Sequence, residues 1–344
     1  MNFTSDTAAP AHPAILAALL NANAGTAPSY GADRITQRLR ARLADVFETE
    51  DFDFWIVSSG TAANALALAC FCPPTHSILC HREAHIQMDE RGAPEFFTGG
   101  GKLHLLDGAG AKIDFDPFRD YLDDFDPRFV HATPPAVLSL TNLTECGLAY
   151  TPGEIAAFAR RAKFASLAVH LDGARLGNAL AHTGASPAAM TWKAGVDVLT
   201  LGLTKTGAIG CEIILLFGPA KAKGRELQAR AKRAGHMPAK MRFLAAQAEA
   251  MLEDGLWLKL CAHANAMAAQ AADVFLENGL DLAWPVQGNE VFVHLDQTAI
   301  DKLAEDGALY YEWPGGCYRF VCSWSTSEAD IAALRQALGQ AMRR

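Results

Sequence analysis

Several common features are missing from this sequence. No apolar run approaches the ~20 residues that cross a bilayer as a helix, so no membrane partner is expected. The stretch Pro13 to Leu20 is apolar but short, with no positive leader before it, so no secretory signal is expected. Basic residues are in deficit: 30 Lys and Arg stand against 38 Asp and Glu, a formal net charge of −8. That balance argues against nucleic acid as the main partner. The eight cysteines include no C-x-x-C pair and no Cys/His grouping at zinc spacing, so no metal is expected. Cys70 and Cys72 flank the apolar Phe71 and read as buried thiols of a reducing compartment. The expected location is the cytoplasm. Internal repeats and low-complexity linkers are also absent.

What is present fits an ordinary water-soluble fold. The chain has 344 residues, 50% of them hydrophobic and 20% charged, enough for one large and one small domain. Its informative stretch runs from Ser166 to Gly218. An apolar β-type run, Leu167 to Leu171, ends in Asp172-Gly173-Ala174-Arg175. A second, Val196 to Leu201, leads to Gly202, Leu203, Thr204 and Lys205. A third, Glu212 to Phe217, follows at once. Taken singly, Asp-Gly after a strand reads as a turn, and a loop lysine reads as solvated. Taken together they suit a pyridoxal cofactor. That cofactor needs a lysine to bond its aldehyde and a carboxylate to keep its pyridine nitrogen protonated. Gly202, Gly207 and Gly210 permit close backbone approach to a flat ring.

Two more strand ends point the same way. Phe54 to Ser58 reads as a buried strand, and Ser59-Gly60-Thr61 opens an Ala- and Leu-rich helix, Ala62 to Phe71. Strand, glycine and helix start make an anion site from free N–H groups and the positive helix end. Gly60 and Thr61 are therefore candidates for a cofactor phosphate, with Ser59 beside them. Ser77 to Cys80 is a further strand with His85 just past its end. Pro152 to Ala165 reads as a helix capped by Thr151 with Glu154 three residues on. It feeds the strand that ends in Asp172. Strand–helix–strand spacing implies parallel pairing with right-handed crossovers. Ligands of such sheets lie at the carboxyl ends of the strands, and Gly60, His85, Asp172 and Lys205 all fall there.

LDGARLGNA followed by LTLGLTKTGAIGCE resembles the L-threonine aldolase family, low-specificity type. SDT, YGAD, SSGTAANALAL, AHIQMDERGAPEFF and YRFVCSW extend the resemblance from residue 5 to about residue 325. SGTAAN is shared more widely across the fold than the aldolases alone. The resemblance implies an α/β fold of the type I pyridoxal-phosphate (PLP) enzymes. Its large domain would hold a mostly parallel seven-stranded sheet, beside a smaller C-terminal α/β domain. The expected boundaries are an N-terminal arm at 1–25, a large PLP-binding domain at 26–240, and a linker helix with the small domain at 241–344. It further implies pyridoxal 5'-phosphate as cofactor and a homotetramer built as a dimer of dimers. The implied reaction splits L-threonine, L-allo-threonine or phenylserine into glycine and an aldehyde. Another lyase or an aminotransferase on the same scaffold, a binding or regulatory protein without turnover, and a fold that holds no cofactor are the alternatives.

The resemblance also assigns roles. Lys205 holds the cofactor, with Thr204 beside it, Asp172 meets the ring nitrogen, and His85 stacks on the ring and is a candidate proton carrier. Arg175 reaches the substrate carboxylate or the ring hydroxyl, as its planar fork suits. Arg319 and Ser5 contact the substrate carboxylate, and the Tyr30 loop reaches toward a neighbouring subunit's site. Without the resemblance, Ser5 reads as a cap, Tyr30 as a turn and Arg175 as a surface ion-pair residue. Many aldolase relatives have Glu-Asn-Thr where this chain has Thr141-Asn142-Leu143, so the role of Asn142 stays open. His131 is a second candidate base. Lys221 to Lys240, with seven Lys and Arg, reads as a solvated helix. Phe243 to about Glu277 reads as one long helical segment.

Overall fold

The computed structural model describes residues 1–341. Seven strands form the main sheet: β1 (Phe52–Val57), β2 (Ser77–His81), β3 (Lys102–Leu106), β4 (Pro135–Thr141), β5 (Ala168–Gly173), β6 (Val198–Gly202) and β7 (Glu212–Phe217). Their order is β1-β7-β6-β5-β4-β2-β3. Five neighbours from β6 to β3 pair in parallel, whereas β7 runs against both β6 and β1. The expected α/β class and mostly parallel seven-stranded sheet are what the chain forms. Strands β2, β6 and β7 are buried along their whole length. Helices cover both faces of such a sheet, and for that reason its strands read as unbroken apolar runs rather than alternating ones.

The helix Pro152–Phe164 starts as the sequence predicts. The Thr151 hydroxyl accepts from the Glu154 N–H at 3.2 Å, and the Glu154 carboxylate accepts from the Thr151 N–H at 2.7 Å. This capping box satisfies two otherwise unpaired donors and leads the chain into β5.

A second core lies around β8 (Glu290–Val293), β9 (Tyr311–Trp313) and β10 (Cys317–Val321), ordered β8-β10-β9. The helices Leu256–Glu277 and Glu328–Ala341 flank it. The first residues of the chain join this sheet. The Phe3 N–H donates to the Leu309 carbonyl at 2.8 Å, and the Val321 N–H donates to the Phe3 carbonyl at 2.8 Å. Phe3 is wholly buried against Phe320. Anchored there, the chain carries Asp6 and Thr7 onto the ligand edge of the main sheet.

Some expected elements differ. The basic stretch is α-helical only over Gly224–Arg233, after a 3-10 segment that ends at Lys223, and it stops at Gly235, in the left-handed region. The long segment after Phe243 is two helices, Arg242–Leu252 and Leu256–Glu277. They are broken at Glu253–Gly255, where Asp254 and Gly255 take positive φ. Phe129 to Ala132, which the sequence alone reads as extended, forms turns. Strand β4 starts instead at Pro135, a place that needs no N–H in the ladder.

Candidate active site

The carboxyl ends of the parallel strands converge on a cavity of about 280 Å³. Lys205, Thr204, Asp172, His85, Gly60, Thr61 and Arg175 all line it. So do Thr7, Asn64, Glu145 and Glu212, which sequence reasoning did not single out. A roomier surface cleft of about 970 Å³, beside Phe97 and Arg230, holds none of the candidate residues.

Each wall follows from its element. The helix Gly60–Ala69 points its first turn at the cavity, and the Ser59 hydroxyl caps it by accepting from the Ala62 N–H at 3.3 Å. Open space lies beside Gly60, where an added Cβ would meet nothing within 4 Å. Asp172 comes from the end of β5 and is buried. Its two oxygens accept from the Asn64 amide at 2.7 Å and the Ala174 N–H at 3.0 Å. The same Asn64 nitrogen donates to Glu90 at 2.8 Å, and Glu90 lies 2.8 Å from His85 Nδ1. The hydrogen bond that His85 Nδ1 donates to Glu90 raises the affinity of His85 for its proton. Burial pushes the Glu90 carboxyl up as well.

Lys205 sits in the one-turn helix Thr204–Thr206 past β6. Two glycines shape this loop. A Cβ on Gly202 would lie 2.6 Å from the Ala174 backbone, so only glycine lets the ends of β5 and β6 meet. Gly207 takes φ +121° against the Trp324 ring. Lys205 makes no ion pair among the described residues. Glu212 joins the site because β7 is reversed: its first residue lies at the edge where the parallel strands end. Burial pushes Glu212 up to about 7, although the Leu203 N–H donates to it at 3.1 Å.

The other end of the cavity holds paired charges. Arg175 donates to both oxygens of Asp6, at 2.7 and 3.2 Å. Burial alone would raise the Asp6 carboxyl, but Arg175 and Lys205 outweigh it and hold it below its usual range. Glu290 is fully buried, 3.4 Å from Arg175 and 3.8 Å from Arg319. Among the described residues neither of its oxygens accepts a hydrogen bond, and burial pushes its carboxyl up.

Three predicted contacts do not line the cavity. Arg319 stands behind Arg175 with Glu290 between them, its guanidinium 4.6 Å from the centre of the Trp313 ring. Ser5 caps the turn Asp6–Ala8, its hydroxyl accepting from the Thr7 N–H, and Thr7 is the residue that reaches the wall. Tyr30 is 49% exposed in a separate cleft, with the Lys232 amine 4.9 Å from the centre of its ring. Asn142 turns away from the cavity, pairing with the backbone of Tyr150. His131 is exposed. Among the described residues no helix is long and apolar enough to cross a membrane, and no acidic, His or Cys group could hold a metal.

The missed residues gave weak local signals. Asn64 hides within an Ala-rich helix, and Glu212 and Glu290 read as strand starts. Glu145 had one signal: the altered segment after β4.

Comparison with known proteins sets this geometry in context. The beta-eliminating lyase family matches residues 2–298. The low specificity L-threonine aldolase of a Pseudomonas species is 39% identical over 96% of this chain and 95% of its own. The protein of the same name from Pseudomonas aeruginosa is 40% identical over 97% of this chain and 95% of its own. The solved threonine aldolase of Leishmania major superposes with a TM-score of 0.92. It is 26% identical, over 99% of each chain.

Proposed function

Because this chain belongs to the low specificity L-threonine aldolases, within the beta-eliminating lyase family, we propose that it splits β-hydroxy-α-amino acids into glycine and an aldehyde. It is a carbon–carbon lyase, and L-threonine, L-allo-threonine and phenylserine are the substrates to offer first. One observation carries the reading: Lys205, Asp172, His85 and the Gly60–Thr61 helix start line one cavity.

That cavity suits pyridoxal 5'-phosphate. Open space beside Gly60 at a helix N-terminus leaves room for a phosphate. Asp172 is a carboxylate fixed at two points, and Lys205 is an amine with no ionic partner among the described residues. Lys205 would bond the cofactor aldehyde, Asp172 would meet the ring nitrogen, and His85 would lie on the ring face. Gly60 and Thr61 would hold the phosphate, with Thr204 beside Lys205. Once bound, the cofactor supplies an electron sink for the pair released from Cα.

The protein's own groups do the rest. Arg175 offers a fork to the substrate carboxylate at the charged end of the cavity, with Thr7 beside it. Arg319 and Ser5 support that end from behind, and the Tyr30 loop faces a neighbouring subunit. Asp172 holds a proton on the ring nitrogen, and its rigid hydrogen bonds cost no reorganisation during reaction. The Asn64–Glu90 chain fixes the orientation and protonation of His85. A homotetramer in the cytoplasm completes the proposal, and native mass measurement and cell fractionation test those two parts.

The deciding experiment offers a panel of β-hydroxy amino acids to the PLP-loaded protein and measures glycine. Glycine and aldehyde in equal amounts are expected. Keto acid with ammonia would replace this reading with elimination, and amino-group transfer would replace it with transamination.

A further inference from the structure

The cleavage reading leaves one proton without an acceptor: that of the substrate β-hydroxyl. We propose that Glu145 accepts it. Three acids line the cavity: Asp172, Glu212 and Glu145. Asp172 has both oxygens engaged, and Glu212 is held by the Leu203 N–H and by Thr204. Glu145 differs. One of its oxygens accepts from the His85 N–H at 2.8 Å, which fixes the side chain. The other is shut off from solvent and has no hydrogen-bond partner among the described residues. Among the described residues it is the one cavity-lining carboxylate with a buried free oxygen.

Position supports the same role. Lys205 marks where the substrate amine starts, and Arg175 marks where its carboxylate goes. Thr141, Leu143, Glu145 and His85 line the same cavity, and the third substituent on Cα is assigned to them. His85 is the less available base, because its Nδ1 is tied to Glu90 and the contact favours its protonated form. The groups facing Glu145 are His85, Asp172, Arg175, Tyr150, Cys80 and Cys146. Burial, ahead of those charges, pushes the Glu145 carboxyl up to about 7, the range in which a general base works best at neutral pH.

The step balances. The O–H bond of the β-hydroxyl breaks and its proton passes to the free oxygen of Glu145. The electron pair left on that oxygen becomes the second bond of the aldehyde carbonyl. The Cα–Cβ bond breaks and its pair stays on the Cα side. Cα then takes one proton, and Glu145 returns one to solvent. No oxidant, reductant or co-reactant is needed.

The test compares wild type, Glu145→Gln and Glu145→Asp with phenylserine and L-threonine, and measures glycine binding by calorimetry. Glu145→Gln should lower kcat by about 10²–10⁴-fold, the usual contribution of a general base. Its glycine affinity and melting temperature should stay near wild type. Wild-type kcat should rise with pH through about 7, since only the ionised carboxylate accepts the proton; Glu145→Gln should lack that rise. Glu145→Asp should recover part of the loss. Glu145→Gln cleaving within about threefold of wild type would overturn the role of Glu145 and leave the cleavage reading standing. Glycine affinity falling in step with kcat would also overturn it, since Glu145 would then serve only to hold His85. A wild-type protein that releases no glycine would remove the cleavage reading itself, and this proposal with it.

Discussion

The two ends of the cavity are built by different physics. At the ring end, Asp172, Asn64, Glu90 and His85 form an unbroken hydrogen-bonded chain with links of 2.7–2.8 Å. At the arginine end, Asp6, Arg175, Glu290 and Arg319 are held by charge, and Glu290 accepts no hydrogen bond at all. The first arrangement is continuous and fixes one geometry, although Asn64 Oδ1 and Glu90 Oε2 have no partner among the described residues. The second has donor capacity left, since Arg319 Nε is buried without a partner. A continuous hydrogen-bonded chain suits a cofactor that stays, and an ion cluster with a free donor suits an anion that comes and goes.

Breaking the hydrogen-bonded end should have the larger effect. Asp172→Asn keeps the shape but removes the charge, and kcat for glycine release should fall by about 10²–10³-fold, as when a fixed electrostatic contact to developing charge is lost. A loss below about threefold would mean that the ring end is not the electronic partner of the reaction. At the other end, Arg319→Ala should weaken amino-acid binding, measured as glycine affinity, by roughly 0.5–2 kcal/mol, because it acts through Glu290 and Arg175. Unchanged affinity would remove Arg319 from substrate binding and leave Arg175 alone there. Glu290→Gln should act in the opposite direction. Removing an anion that competes for both arginines should tighten glycine binding several-fold, and a weaker complex would contradict the idea of spare capacity.

The smallest effect is on stability. Burial raises both Glu145 and Glu212 from 4.5 to about 7 in the folded chain. Between those two values the folded state binds more protons than the unfolded one, so stability falls as pH rises through that window. The cofactor-free protein should melt at a higher temperature near pH 5 than near pH 8. The difference should shrink in Glu212→Gln. A shift of opposite sign would mean that these carboxyls are not buried as described.

The contrast between the two ends also marks how far the sequence could be read. Asp172 and Lys205 were legible because each ends an apolar run, and strand ends of a parallel sheet gather at one edge. Gly60 and Thr61 were legible as a strand-to-helix junction. The partners were not. Asn64 is one polar residue in a helix of alanine and leucine, and nothing local says that its amide bridges Glu90 and Asp172. The Asp6–Arg175 pair joins positions 169 residues apart, and no local pattern encodes such a pairing. Glu212 depended on the reversal of β7, which the apolar run EIILLF does not reveal. Family resemblance named Arg319 and Ser5, but only the fold shows that they stand behind the cavity wall.

The central claim is that Lys205 is the residue that bonds the cofactor within this cavity. The direct measurement is the absorption spectrum of wild type and Lys205→Ala after incubation with pyridoxal 5'-phosphate and removal of the excess. Wild type should show a band near the edge of the visible range, and Lys205→Ala should lose it along with glycine release. An unchanged band in Lys205→Ala would show that another lysine anchors the cofactor and would contradict the account.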